Sequence, residues 1–351
     1  MEKNPQGSKA YYYLGNLFYD KLQFEEAIKL WEQSAELCDS FPTVHRNLAL
    51  AYYNKRSDFD KAREELEKAF ALDETDSRVL LELDQLYKKL GTDFEKRLAL
   101  YENHKSVTEE RDDAMLEYVT LYNLLEKPEK AYELIMSHSF RPWEGAEGRI
   151  SAQYKIALLE MAKKAMAHQN WEKAEELLEK ALVYPENLGE GKLEGTKDNN
   201  IYYYLGIVKE HLGKEGAQEC FALAELGDNE PAGAMYYYDQ PADMILYKGL
   251  AKQKLGKTKE AFACFGKLLD YGERHLNDQV KNDFFAVSLP DFLIFEDDMD
   301  KRNKAHCYYL MGLANLGLGN TQLAAEKFDK ALEYDFNHQN CRIYKALAER
   351  K

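Results

Sequence analysis

Cysteine, proline and glycine are all scarce in this chain of 351 residues, at five, eight and twenty. The five cysteines (Cys38, Cys220, Cys264, Cys307 and Cys341) are odd in number and far apart. That excludes a disulfide framework and a zinc cluster, and suits small apolar side chains kept reduced. With so little proline and glycine, no Pro-rich, Ser/Gly-rich or low-complexity stretch marks a linker. Ala, Glu, Leu and Lys dominate instead, a composition that favours helix. No run of about 18 apolar residues occurs, so no membrane span is expected. Glu2, Lys3 and Asn4 follow Met1 where a secretion signal would need an apolar core, and the expected compartment is the cytoplasm. Positive charge is the minority sign, with 47 Lys and Arg against 62 Asp and Glu, a net −15. A field of that sign repels phosphate backbones and anionic lipid, so neither nucleic acid nor a membrane is expected as the partner.

Chemical motifs are thin as well. Gly189-Glu190-Gly191-Lys192 is half of a phosphate loop and is flanked by acids that would repel phosphate. No His-Glu-x-x-His occurs, and the eight histidines stand singly. Asp297, Asp298 and Asp300 resemble the opening of a calcium loop, but Arg302 takes the next ligand position and no glycine follows at the turn. No metal, cofactor or complete active site is expected.

What is abundant is tyrosine, 25 in all, often in runs such as Tyr11–Tyr13 and Tyr202–Tyr204. Beneath the tyrosines runs a repeat of small residues. The first unit reads Tyr11, Leu14-Gly15, Phe18, then Ala27 and Trp31; the second reads His45, Leu48-Ala49, Tyr52, then Ala62, Leu66 and Ala69. Later units carry Ala162, Ala174 and Leu178; Leu205-Gly206, Ala217 and Phe221; Gly249, Ala261 and Phe265; and Met311-Gly312, Ala324 and Phe328. Two degenerate units centre on Asp84 and Val119. The small position recurs at Gly15, Ala49, Asp84, Val119, Ala162, Gly206, Gly249 and Gly312, at spacings of 34, 35, 35, 43, 44, 43 and 63 residues. Such a residue lets two helices cross closely, and the expectation is that it faces the alanine of the second helix. Gly91, Gly213, Gly256 and Gly319 fall where the first helix of a pair should end.

This pattern resembles the tetratricopeptide repeat family over nearly the whole chain. The resemblance implies an all-α, right-handed superhelical solenoid forming a single domain over 1–351. It would hold about eight helical hairpins over 9–336, and an amphipathic cap over 338–350 would close the last apolar face. Extra residues at 139–149, 185–200, 228–243 and 271–303 lengthen the later connections. In a solenoid such insertions gather on one edge. Their aromatics and acids suggest a composite site of Trp143, Glu144, Glu147, Tyr237, Asp239 and Phe285. The stretches RPWEGAEG, YPENLGEGKLEG, YYYDQPADM and VSLPDFLIFEDDMDKRNKAHCYYLMGL are similar to the C-terminal repeat region of a large bacterial family of unassigned function. In that family a β-rich, sugar-related region precedes the repeats. An alternative role therefore follows, as the C-terminal module of a carbohydrate-active enzyme, with Asp243 and Asp291 as further carboxylates. Asp243 can equally cap a helix starting near Met244.

In the tetratricopeptide family the first helix of each pair lines a concave groove. Carried onto this sequence, the inner positions give Tyr12, Asn16, Tyr19, Arg46, Tyr53, Asn54, Arg78, Lys88 and Lys89, a basic and aromatic set in an acidic chain. The expected function is a non-catalytic scaffold binding a protein or an extended peptide that is acidic or contains aromatics. Tyr12 and Leu50 stand where a carboxylate-clamp member would need Lys and Asn, so that mode is not expected. In the C-terminal half the inner positions are more apolar (Tyr203, Ile207, His211, Leu246, Leu250, His306, Tyr309, Leu313). They should be filled by the insertions or by an N-terminal domain of a longer protein.

Overall fold

Helix starts in this chain are set by side chains that satisfy or dispense with the first N–H groups. Pro42 and Pro128 occupy the first helical turn, where a missing donor costs nothing. Asp58, Asp76 and Asp298 cap others, their carboxylates accepting from first-turn amides. The computed structural model describes residues 7–141, 146–233, 240–280 and 294–350, and among these no strand occurs. The described fold is all-α, built of successive helical hairpins.

The chain forms two compact units. The first comprises Met1–Leu121 and Phe292–Asp297. In it α1 (Ser8–Asp20) packs on α2 (Phe24–Leu37), α3 (Pro42–Ala51) on α4 (Phe59–Leu72), and α5 (Ser77–Lys89) on α6 (Phe94–Asn103). A short α7 (Lys105–Thr108) follows, and α8 (Asp112–Leu124) carries the chain into the second unit. The second unit, Tyr122–Asp291 and Asp298–Lys351, begins with α9 (Pro128–Ser137). It continues with α10 (Arg149–Ala167) and α11 (Trp171–Ala181), then α12 (Asn199–Leu212) and α13 (Ala217–Ala224). After these come α14 (Ala242–Lys254), α15 (Thr258–His275), α16 (Met299–Gly317), α17 (Thr321–Tyr334) and α18 (Gln339–Glu349). Helix α18 buries Cys341, Tyr344 and Ala348 in one core with Tyr247, Tyr309 and Phe328. The fourth insertion is shorter than its expected 271–303, because α15 runs on to His275 and α16 starts at Met299.

Within successive pairs the turn contains a left-handed residue. Gly91, Gly213, Gly256 and Gly319 fill four of these positions, at φ 62–82°. Leu22, Ser57, Glu126 and Gln169 fill the other four, at φ 52–60°. The fold imposes the same turn whether or not glycine is there to ease it.

The crossings refine one expectation. Nearest the small residue stands the bulky residue one turn beyond the alanine of the second helix, and the alanine itself is close as well, the Ala27 carbonyl lying 3.2 Å from a Cβ on Gly15. A Cβ on Gly15 would sit 2.5 Å from the Trp31 indole, and Cβ atoms on Gly206, Gly249 and Gly312 would sit 2.5, 2.2 and 2.4 Å from the rings of Phe221, Phe265 and Phe328. Each aromatic fills the volume that glycine vacates. Where the ruler residue is alanine, the matching residue is the smaller leucine: Ala49 with Leu66 and Ala162 with Leu178, all buried. Four of the five cysteines are buried, as small apolar residues would be, and Cys38 is half-buried.

In the second unit the first two insertions touch. The Phe140 N–H donates to the Asn187 carbonyl at 2.8 Å, and Glu190 accepts from the amides of Gly148 and Ser151 at the start of α10 at 2.8 and 3.1 Å. A carboxylate there suits the positive end of the helix.

Candidate functional site

Three helices of the first unit carry the positions expected to line the groove. Helix α1 offers Tyr12, Asn16 and Tyr19, α5 offers Arg78, Lys88 and Lys89, and between them lies the end of the second pair's first helix. That helix does not finish as an α-helix. Tyr52–Arg56 is a π-helical turn, closed by Ser57 at φ 52°, a local widening that is frequent at functional sites. It displays Tyr53, Asn54 and Lys55 in succession.

Against this turn lies a piece of the chain about 240 residues away, Ile294–Asp297. Asn54 Nδ2 donates to the Ile294 carbonyl at 2.7 Å, and Asn54 Oδ1 accepts from the Glu296 N–H at 2.8 Å. One amide thus satisfies both backbone groups flanking Phe295, as a neighbouring strand would. The Phe295 ring is 2 % exposed and meets Tyr53 edge-on at 4.9 Å. Tyr53 is backed in turn by Phe59 at 5.0 Å. Lys55 pairs with Glu296, and Lys89 with Asp297 at 2.8 Å. Burial raises the Tyr53 phenol above its ordinary value, with Asp297 and Glu296 adding to it. Burial likewise raises Tyr19, with Lys55 opposing and Glu296 adding. Both phenols therefore stay neutral at physiological pH.

Magnitudes rank these contacts. Burying a Phe side chain contributes roughly 1.5–3 kcal/mol, and each backbone hydrogen bond to Asn54 about 0.5–1.5 kcal/mol. The two ion pairs are partly exposed and contribute about 0–1 kcal/mol each. The ring therefore contributes most to holding the segment, Asn54 fixes its register, and the lysines pair with its acids.

Of the nine groove residues expected from sequence, Tyr19, Tyr53, Asn54 and Lys89 stand at this segment. The other five are engaged elsewhere. Asn16 Oδ1 accepts from Trp31 Nε1 at 3.0 Å and from Asn47 at 3.2 Å, and Tyr12 lies edge-on to Phe41 at 4.9 Å. Arg46 makes a two-pronged contact to Glu82 at 2.5 and 2.6 Å, and Arg78 reaches the same carboxylate at 2.9 Å. Lys88 pairs with Glu117 at 3.0 Å. The positive charge read from sequence is therefore partly offset by Glu82 on α5 and Glu117 on α8. Glu82, 1 % exposed, is needed there because two guanidiniums converge on it. Lys55, Phe295 and Glu296 were missed. The first lies on the π-turn, and the others fall in the sequence between α15 and α16, where no helical period marks them.

The third pair holds a buried pair in place of the usual crossing. Arg97 Nε and Nη2 donate to Asp84 at 2.7 and 2.9 Å, both side chains 1 % exposed or less. Burial opposes the charge on Arg97, but the facing Asp84 outweighs it and holds the guanidinium above its ordinary value.

The composite edge site falls mostly outside the described residues: Trp143, Glu144, Tyr237, Asp239 and Phe285 lie there, as does Asp291. Glu147 is described and exposed. Asp243 does not cap a helix. Pro241 stands at that position, and Asp243 is buried, accepting from the Tyr344 hydroxyl at 2.8 Å. Burial raises its carboxyl above the ordinary value, against the Tyr344 hydrogen bond and the lysines Lys155 and Lys163. Of the apolar inner positions of the second unit, Leu246, Tyr309 and Leu313 are buried. His306 donates to the Ala232 carbonyl of the third insertion at 2.9 Å, and burial lowers its pKa to about 4.

Paired helices with a left-handed turn and a small-residue crossing define a helical-hairpin repeat protein. Residues 15–56 match the family model described as TPR repeat, a span that ends within the π-turn. Among solved structures, a tetratricopeptide repeat protein from Parabacteroides merdae is similar at 14% identity, over 97% of this chain and 98% of that one, with a TM-score of 0.45. YrrB, a TPR protein with an unusual peptide-binding site, is similar at 18% identity over 52% of this chain and 88% of its own, with a TM-score of 0.38. PilF of Pseudomonas aeruginosa is similar at 16% identity over 62% and 88%, with a TM-score of 0.34. Among the described residues no helix is long and apolar enough to cross a membrane.

Proposed function

We propose that this protein is a binding scaffold whose first unit takes an extended peptide across Tyr19, Tyr53, Asn54, Lys55 and Lys89. One observation carries the reading: Asn54 holds the N–H and the C=O on either side of one buried aromatic residue, a grip that depends on backbone and not on sequence. A residue placed so is suited to any extended chain, while the pocket beside Tyr53 and the two lysines choose among side chains. Partners selected from a displayed peptide library against the full chain test it. Asn54→Ala should weaken the selected peptides at least tenfold and leave the helical circular-dichroism spectrum unchanged. Selected peptides that bind Asn54→Ala and the parent chain equally would rule the groove out.

A further inference from the structure

The segment in the groove belongs to the protein itself, and its contacts are those a ligand would make. Ile294–Asp297 is not helical, reaches the groove by one buried ring and one backbone register, and turns both acids towards lysines. The groove side is equally particular. Arg46 and Arg78 share Glu82, and Lys88 has Glu117, so at this place Lys55 and Lys89 are the cations that meet the segment's acids. Neither lysine is deeply buried, at 24% and 23% exposure, and Glu296 is 62% exposed. Water can therefore replace the Lys55–Glu296 pair at little cost when the segment leaves, and the Lys89–Asp297 pair, with Asp297 27% exposed, at somewhat more.

Resting on the groove reading above, we propose that Ile294–Asp297 is an internal competitor and displays the motif the partner must carry. The partner presents, in extended form, an apolar residue, an aromatic residue and two acids, and binds by displacing this segment. The aromatic fills the place of Phe295 beside Tyr53, and its neighbours' backbone takes both hydrogen bonds of Asn54. The acids replace Glu296 and Asp297 on Lys55 and Lys89. A tethered competitor acts at an effective concentration on the order of millimolar. Against a peptide of about 10–100 µM affinity, it should weaken apparent binding roughly ten- to a hundredfold.

The test uses the full-length chain and a fluorescent peptide of residues 292–299, Phe-Leu-Ile-Phe-Glu-Asp-Asp-Met, followed by anisotropy. In one variant Phe295→Ala, Glu296→Ala and Asp297→Ala together empty the groove. A milder one, Glu296→Lys with Asp297→Lys, keeps the ring and repels the two lysines. Both should bind the peptide at least tenfold more tightly than the parent, provided each keeps the parent's helical spectrum. Asn54→Ala added to either should abolish the gain, as should replacing the peptide's second Phe by Ala. Equal affinity for parent and variants would overturn the proposal. So would absence of binding by every chain while library peptides still require Asn54, since the segment would then be a fixed strut in a working groove. Library peptides indifferent to Asn54 would instead take down the groove reading itself.

Discussion

At the scale of single residues, volume is conserved across each crossing and not at either position alone. Glycine stands opposite an aromatic ring, and alanine holds the same place in the pairs that carry leucine. Adding a methyl at Gly206 drives a Cβ to 2.5 Å from Phe221, an overpacking that should cost about 1–3 kcal/mol. Shrinking the partner should relieve it. Gly206→Ala with Phe221→Leu is expected to recover at least half of the single variant's loss in a urea titration, a coupling in the range of contacting pairs. If the two losses simply add, the crossing is not what fixes the glycine.

At the scale of helices, the third pair departs most from the pattern. Asp84 takes the small position and Arg97 the alanine position, both without exposure to water. Removing one charge strands the other, so Arg97→Leu should lose roughly 3–5 kcal/mol. Asp84→Ala combined with Arg97→Leu should recover part of that loss, because no charge is left stranded at the crossing itself, although Glu117, 3.4 Å from Arg97 Nη2, also loses a partner. A double variant as unstable as Arg97→Leu, measured by its urea midpoint, would show that the pair does more than satisfy itself. Much at this scale was legible beforehand. The ruler residues placed the helix pairs, and four glycines marked their turns. A helix, Gln339–Glu349, lies within the expected 338–350. The π-turn was not legible, since Tyr-Tyr-Asn-Lys-Arg has ordinary helical propensity and its widening shows only in backbone pairing. Nor was the partial offsetting of the groove's positive charge, although the signal was present: Glu82 follows Arg78 by four residues on one helix, the spacing of a surface ion pair. The segment at Asn54 left no local trace, because a contact across about 240 residues has no periodicity to betray it.

At the scale of the whole molecule, the first unit borrows Phe292–Asp297 from a connection between two helices of the second. Loss of the anchor should therefore release a segment without collapsing a core. Phe295→Ala is expected to cost less than the roughly 3–5 kcal/mol of a Phe→Ala change in a rigid interior. By hydrogen exchange the Glu296 amide should lose its protection while α16 and α17 keep theirs. Global unfolding at the same denaturant concentration as a core deletion would make the ring part of the first unit's framework. The arrangement also sets a clock. Asn54 leaves the ribosome 242 residues before Glu296, which at 5–20 residues per second is roughly ten to fifty seconds. Every newly made copy thus passes through an interval in which its groove has been synthesised and its own occupant has not. A partner present at the site of translation meets no rival then, whereas one that arrives later must compete for the same place.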